Sequence, residues 1–175
     1  MSTTFLVLTV IGDDRPGLVE QLAAAISSHR GNWLESSMAH LAGKFAGIVE
    51  VSVATDDAAA LRSALGALPT LKVTVEEAGS GAPSHKGRRL TLSLVGHDRI
   101  GIVREVSQVL ARHAVNVEAL NTFTASAPMS AEVLFHAQAE LQAAESLDAR
   151  ALKSDLERIS DDLMVDITLD EVVKI

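Results

Sequence analysis

The sequence predicts an α+β fold made of two similar units, each a four-stranded antiparallel sheet with two helices on one face. Three observations carry this. The chain repeats itself: Gly12-Asp13-Asp14-Arg15-Pro16-Gly17-Leu18-Val19 returns as Gly96-His97-Asp98-Arg99-Ile100-Gly101-Ile102-Val103. The step is 84 residues, and Leu6, Leu8, His29, Asn32 and Val49 recur at it as Leu90, Leu92, His113, Asn116 and Val133; such self-similarity marks one structural unit used twice. Within each copy, β-branched apolar runs and helix-period stripes follow the order strand, helix, strand, strand, helix, strand. Hydrophobic residues make up 47% of the 175, enough for two small cores.

In the first copy, Phe5–Ile11 is a short β-branched run that reads as a buried strand. Residues 12–17 form a turn. Pro16 suits the first helical position, where its missing N–H costs nothing, and Asp14 is placed to cap that helix. Leu18, Leu22 and Ile26 then form one apolar stripe, with Val19 and Ala23 beside it. Gly31 is expected to stop the helix. Trp33–Leu41 and Lys44–Ala54 flank Ala42-Gly43 as a hairpin. Asp56-Asp57 opens a second helix carrying Leu61, Leu65 and Leu68, with Pro69 beyond its end, and Leu71–Glu77 alternates as the last strand.

Gly79-Ser80-Gly81-Ala82-Pro83-Ser84-His85-Lys86-Gly87 has linker composition. The predicted division is therefore residues 1–78, a linker at 79–88, and residues 89–175. The second copy repeats the elements as strand Arg89–Val95, helix Gly101–His113, hairpin strands Val117–Ser126 and Ser130–Ala139, helix Leu147–Ser160 and strand Leu163–Leu169. The stretch Ala139–Ser146 has no counterpart in the first copy and is expected to be an extra loop or a longer helix. The βαββαβ order gives a split βαβ plait, ferredoxin-like, in each copy. Its second sheet face needs cover, from the other copy or from another chain.

Composition excludes several functions. There is no Cys, so disulfides, thiolate metal sites and thiol nucleophiles are out, as fits a reducing cytoplasm. No run approaches a membrane span, and the N-terminus lacks the basic start of a signal peptide. The net charge of −8 argues against direct nucleic-acid binding, which draws on a basic surface. Lys86, Arg88 and Arg89 form the one dense basic run and read as solvated linker. Four Phe, one Trp and no Tyr, with Phe45 and Phe135 on hairpin strands, are a poor base-stacking set. The six His show no ligand-pair spacing. No phosphate loop, dinucleotide fingerprint or nucleophile elbow is present. No residue set supports catalysis, and no cofactor is called for.

The paired motifs resemble the ACT domain, a ligand-sensing module. The resemblance lies in a first strand ending in Gly, Asp-Arg-x-Gly-(Leu/Ile)-Val after it, and Asn fifteen residues past the second Gly. Two such modules with an Asp-Arg-Pro-Gly start are similar to the glycine cleavage system transcriptional repressor family. That resemblance implies a cytoplasmic, non-catalytic regulator that binds a small amino acid, glycine or similar. It would act through a transcription factor of the LysR type that itself holds the DNA. It also implies ligand-binding roles for Gly12, Asp14, Gly17 and Asn32, and for Gly96, Asp98, Gly101 and Asn116.

The residue chemistry agrees with such a site without requiring it. A helix start offers unpaired N–H groups to a carboxylate. Gly12 and Gly17 would let the backbone pass close to a ligand. Asp14 could accept from an ammonium, and Asn32 both donates and accepts. The end of the first strand and the start of the second are expected to adjoin, bringing Asp14 towards Asn32. Plain structural roles stand beside this: Asp14 and Asp98 as helix caps, Gly17 and Gly101 as packing residues, Asn32 and Asn116 as turn residues, Arg15 and Arg99 as solvent-facing or paired with a carboxylate. Pro16 becomes Ile100 and Asp13 becomes His97, so the two sites need not be equivalent. The alternatives at this level are a ligand-free dimerisation scaffold and a regulatory subunit of an amino-acid enzyme. A homo-oligomer is expected from uncovered sheet faces and edges.

Overall fold

The computed structural model describes residues 2–79, 87–127 and 132–172. They fall into two compact units, one before and one after residues 80–86. In the first, β1 (Thr3–Asp13), α1 (Leu18–Ser28), β2 (Asn32–Leu41), β3 (Lys44–Ala54), α2 (Ala58–Gly66) and β4 (Lys72–Glu77) follow in order. In the second they are β5 (Arg88–His97), α3 (Ile102–Arg112), β6 (Asn116–Ser126), β7 (Val133–Ala143), α4 (Ala149–Leu163) and β8 (Val165–Glu171). Each unit is a βαββαβ plait. The sheet orders are β2-β3-β1-β4 and β6-β7-β5-β8, every pair antiparallel. Among the described residues no helix is long and apolar enough to cross a membrane.

Strand alternation sets the core. Leu6, Leu8 and Val10 of β1 and Val49, Val51 and Val53 of β3 point to one face and are at most 2% exposed. Leu22 and Ile26 of α1 and Leu61 and Leu65 of α2 close over them. The second unit repeats this with Leu90, Leu92 and Leu94 against Ile102, Leu110, Leu152 and Leu156. At one central cross-strand position, however, β7 brings a smaller side chain: Leu92 pairs with Ala139, where Leu8 pairs with Val49. Val117 stands where the first unit has Trp33. An apolar crevice opens there, lined among others by Leu92, Val106, Leu110, Val117, Phe135 and Ala139.

Several expectations need correction. The hairpin register shows that Val133 is not the counterpart of Val49. Asn32 and Asn116 keep the step of 84, but Lys44 and Leu134 occupy matching positions at a step of 90. The extra length therefore enters the β6–β7 connection, and Ala139–Ala143 is strand. Ala137, Ala139, Leu141 and Ala143 alternate inward there, and the small, polar-spaced run disguises that alternation. A further four residues come before β8, since Lys72 and Asp166 pair with Ile11 and Val95. Of the hairpin strand expected from Ser130, residues 130 and 131 lie outside the described residues.

The expected linker, 79–88, also lies mostly outside the described residues, Lys86 included. Arg88 is not solvated linker. It opens β5, donates two hydrogen bonds of 2.8 Å to the Glu171 carboxylate and one of 3.1 Å to the Leu147 carbonyl. Gly31 does not supply the left-handed residue after α1. Arg30 does, at φ 58°, with Ala114 at φ 53° in the second unit. Gly31 and Val115 follow, donating to the carbonyls of Ile26 and Leu110 at 2.9 Å. The α4 cap, by contrast, is a conventional Asp: Asp148 accepts from the N–H groups of Arg150 and Ala151.

Candidate functional site

The repeated motif occupies the turn from β1 into α1 and its copy from β5 into α3. Each helix starts after a glycine in the left-handed region, Gly17 at φ 93° and Gly101 at φ 100°. Neither start is capped by a side chain. Pro16 thus precedes the helix instead of opening it, and Asp14 and Asp98 are not its caps. The glycine reverses the chain before Leu18 and Ile102, and the first-turn amides are left without a side-chain acceptor. The Asp14 N–H donates to the Gly43 carbonyl at 3.0 Å, and the Asp98 N–H to Val133 at 3.0 Å. Both turns are therefore pinned to the neighbouring hairpin.

That hairpin also supplies charge. Ala42 and Gly43 have positive φ, 49° and 76°, as a two-residue hairpin turn demands. They hold His40 and Lys44 beside the β1 end. His40 Nε2 lies 3.4 Å from Asp14 Oδ2, and Lys44 pairs with Asp13. The Lys44 hydrogen bond, aided by its charge and by Arg15, holds the Asp13 carboxyl below its ordinary value. The second turn differs: His97 stands 3.8 Å from Glu132, and Arg99 reaches Glu105 at 3.1 Å. His40 was not singled out in the sequence. Its signal was position, since it sits opposite Phe45 in a hairpin whose tip meets the motif.

Gly12 and Gly96 serve the protein's own packing. A Cβ on Gly12 would lie 2.5 Å from the Thr70 carbonyl oxygen and 3.0 Å from Leu71 Cδ2. On Gly96 it would lie 2.1 Å from Val165 Cγ1. The close approach read from these glycines is thus to the start of the last strand. At Gly17 and Gly101 an added Cβ would meet only one side-chain atom each at ordinary contact distance, Gln21 Nε2 at 3.9 Å and Glu105 Oε1 at 3.5 Å, and conformation explains these glycines.

Asn32 does not approach Asp14 within its unit. Asp13 pairs with Lys44, whereas Asn32 pairs with Ser52. Eight residues of β3 separate the two levels, about 27 Å at strand rise. The cause is the plait itself, because α1 carries the chain back along the sheet before β2 begins. Asn32 instead lines a shallow groove with Glu20, Ala23, Ala24, Ser27 and Trp33. Asn116 is likewise placed opposite Gln142, far along β7 from the Leu134 level of His97. Each unit therefore keeps these candidate residues in two separate places: a turn bearing Asp and Gly, and an Asn at the other end of the edge strand. Among the described residues no cluster of three His, Asp or Glu could hold a metal ion.

Sequence comparison fixes the family. The ACT domain profile matches residues 4–76 and 88–170. The chain belongs to the ACT-domain family. Among solved structures, an unknown protein from Galdieria sulphuraria is 33% identical, with a TM-score of 0.84 over 98% of this chain and 100% of that one. The crystal structure of a "putative glycine cleavage system transcriptional repressor" is 16% identical, with a TM-score of 0.74 over 99% of this chain and all of its own. That second likeness is one of fold, and it extends through both ACT units. No curated protein matches the chain.

Proposed function

We propose that this tandem ACT protein is a non-catalytic regulator that binds a small amino acid, glycine or similar, at an ACT-module interface. On this reading it modulates transcription through a partner transcription factor of the LysR type. One observation carries the ligand reading: the same glycine-led, uncapped helix start occurs in both units, at Gly17 and Gly101. Uncapped amides favour a carboxylate. The exposed carboxylates of Asp14 and Asp98 are placed to accept from an α-ammonium. The separation of Asp14 from Asn32 makes a neighbouring module necessary, since one free amino acid cannot span roughly 27 Å. An Asn of another module would complete the turn. Binding would then favour one packing of modules over another, and only such a difference in affinity can carry a signal. The net charge of −8 suits a regulator whose partner, not itself, holds the DNA.

Calorimetric titration of the whole chain with glycine, serine and a panel of other amino acids tests this. Binding below millimolar concentration is expected, weakened at least tenfold by Asp14→Ala and by Asn32→Ala. No binding by any amino acid at millimolar concentration overturns it and leaves a ligand-free scaffold.

A further inference from the structure

The sheet face of the first unit that is turned away from its helices carries a charge pattern with a sense of direction. Antiparallel pairing sets its residues in rows. The middle row is Ser37, Ile48, Thr9 and Thr74. The row on one side is Ala39, Ala46, Ile11 and Lys72, and on the other Glu35, Glu50, Val7 and Glu76. Ile48 is 55% exposed and Ile11 44%, and Phe5, at 45%, lies one row beyond the glutamates. Lys72, Glu35, Glu50 and Glu76 are in no ion pair among the described residues.

We infer that this face binds the same face of a second copy of the chain. Consider a two-fold axis lying along the middle row. It lays β4 over β4 and reverses its direction, so Lys72 of each copy comes over Glu76 of the other. Ile11 comes over Val7, Ile48 meets its own copy at the axis, and the small Ala46 faces Glu50. On β4 the patch is complementary to itself, as an isologous contact requires, while Glu35, like Glu50, is set over a small alanine, Ala39; aligned sheets pack this way about 10 Å apart. The perpendicular choice of axis, along the strands, sets glutamate row on glutamate row and is disfavoured. The corresponding face of the second unit lacks this property. Asp166 and Asp170 flank Thr168 on β8 there, acid at both ends. Four strands and the four rows named give about 500 Å² per copy, about 1,000 Å² in all, the lower bound for a specific contact. A reversible dimer follows.

Sedimentation velocity on the whole chain across a concentration series reads this directly. A monomer–dimer equilibrium is expected. Lys72→Glu and Glu76→Lys should each raise the dissociation constant at least tenfold, since each single change sets two like-charged pairs face to face. The double exchange, Lys72→Glu with Glu76→Lys, should return it to within about threefold of the parent. That rescue separates a specific contact from a general loss of charge. Ile48→Lys, which places two ammonium groups at the axis, should abolish the dimer while leaving the circular dichroism spectrum unchanged. A chain that stays monomeric throughout, or a dimer indifferent to these changes, overturns the inference. Neither outcome depends on whether an amino acid binds.

Discussion

Replacing Gly12 by Ala should cost more stability than replacing Gly17 by Ala, although Gly17 has the more unusual backbone. At Gly17 the added Cβ has only Gln21 Nε2 nearby, at 3.9 Å. The penalty there is the left-handed conformation alone, about 1–2 kcal/mol. At Gly12 the backbone is extended, but the Cβ would stand 2.5 Å from a backbone carbonyl oxygen, which no rotamer change can move aside. An ordinary contact is nearer 3.4 Å, so β1 and the chain entering β4 must separate by most of an ångström. The separation would loosen Val10 and Leu71 in the core, an overpacking cost of about 2–3 kcal/mol. Urea unfolding of the two variants, followed by circular dichroism, gives both numbers. Gly17→Asn should recover part of the Gly17→Ala loss, since Asn tolerates this region better than Ala. If Gly12→Ala unfolds at the same urea concentration as the parent, or later than Gly17→Ala, the packing role assigned to Gly12 is wrong.

Two other outcomes are expected. Ala139→Val places in β7 the side chain that β3 has at Val49 and fills part of the crevice beneath α3; it should raise the unfolding free energy of the second unit, measured in urea, by about 1 kcal/mol, whereas strain against Phe135 would show as a loss. The His113 hydrogen bond to Asp155 at 2.9 Å holds that carboxyl below its ordinary 3.8, helped by Arg158 and Arg112 against a push from burial. A lowered folded pKa stabilises above the unfolded value and is lost as pH falls through the folded one. Urea midpoints measured between about pH 5 and pH 2 should therefore fall less steeply for Asp155→Asn than for the parent. Equal slopes would remove the pair from the acid response.

Much of the fold was legible because it was written twice. The stripe Leu18, Leu22 and Ile26, the alternation of Val49, Val51 and Val53, and the Ala42-Gly43 turn each name one element, and each is found. What failed had a common physical root: sequence spacing does not report direction in space. Asn32 follows a helix that returns along the sheet, so fifteen residues after Gly17 it stands at the far end from Asp14. The register of β7 was missed because Ala137, Ala139 and Ala143 are core residues without the bulk that signals burial. Pro16 and Asp14 fit a helix start by type, but the positive φ of Gly17 moved that start to Leu18. The partnership of His40 with Asp14 depends on two strands meeting at a hairpin tip, which no local pattern records.

The unequal hairpins have a consequence for the duplication. One motif turn is bordered by a tight two-residue tip flanked by His40 and Lys44, and the other by a six-residue connection that brings Glu132 to His97. Two turns of one sequence pattern thus stand in unlike electrostatic surroundings, a cationic Lys44 beside one and an anionic Glu132 beside the other, so duplication of the chain did not duplicate the environment of the motif.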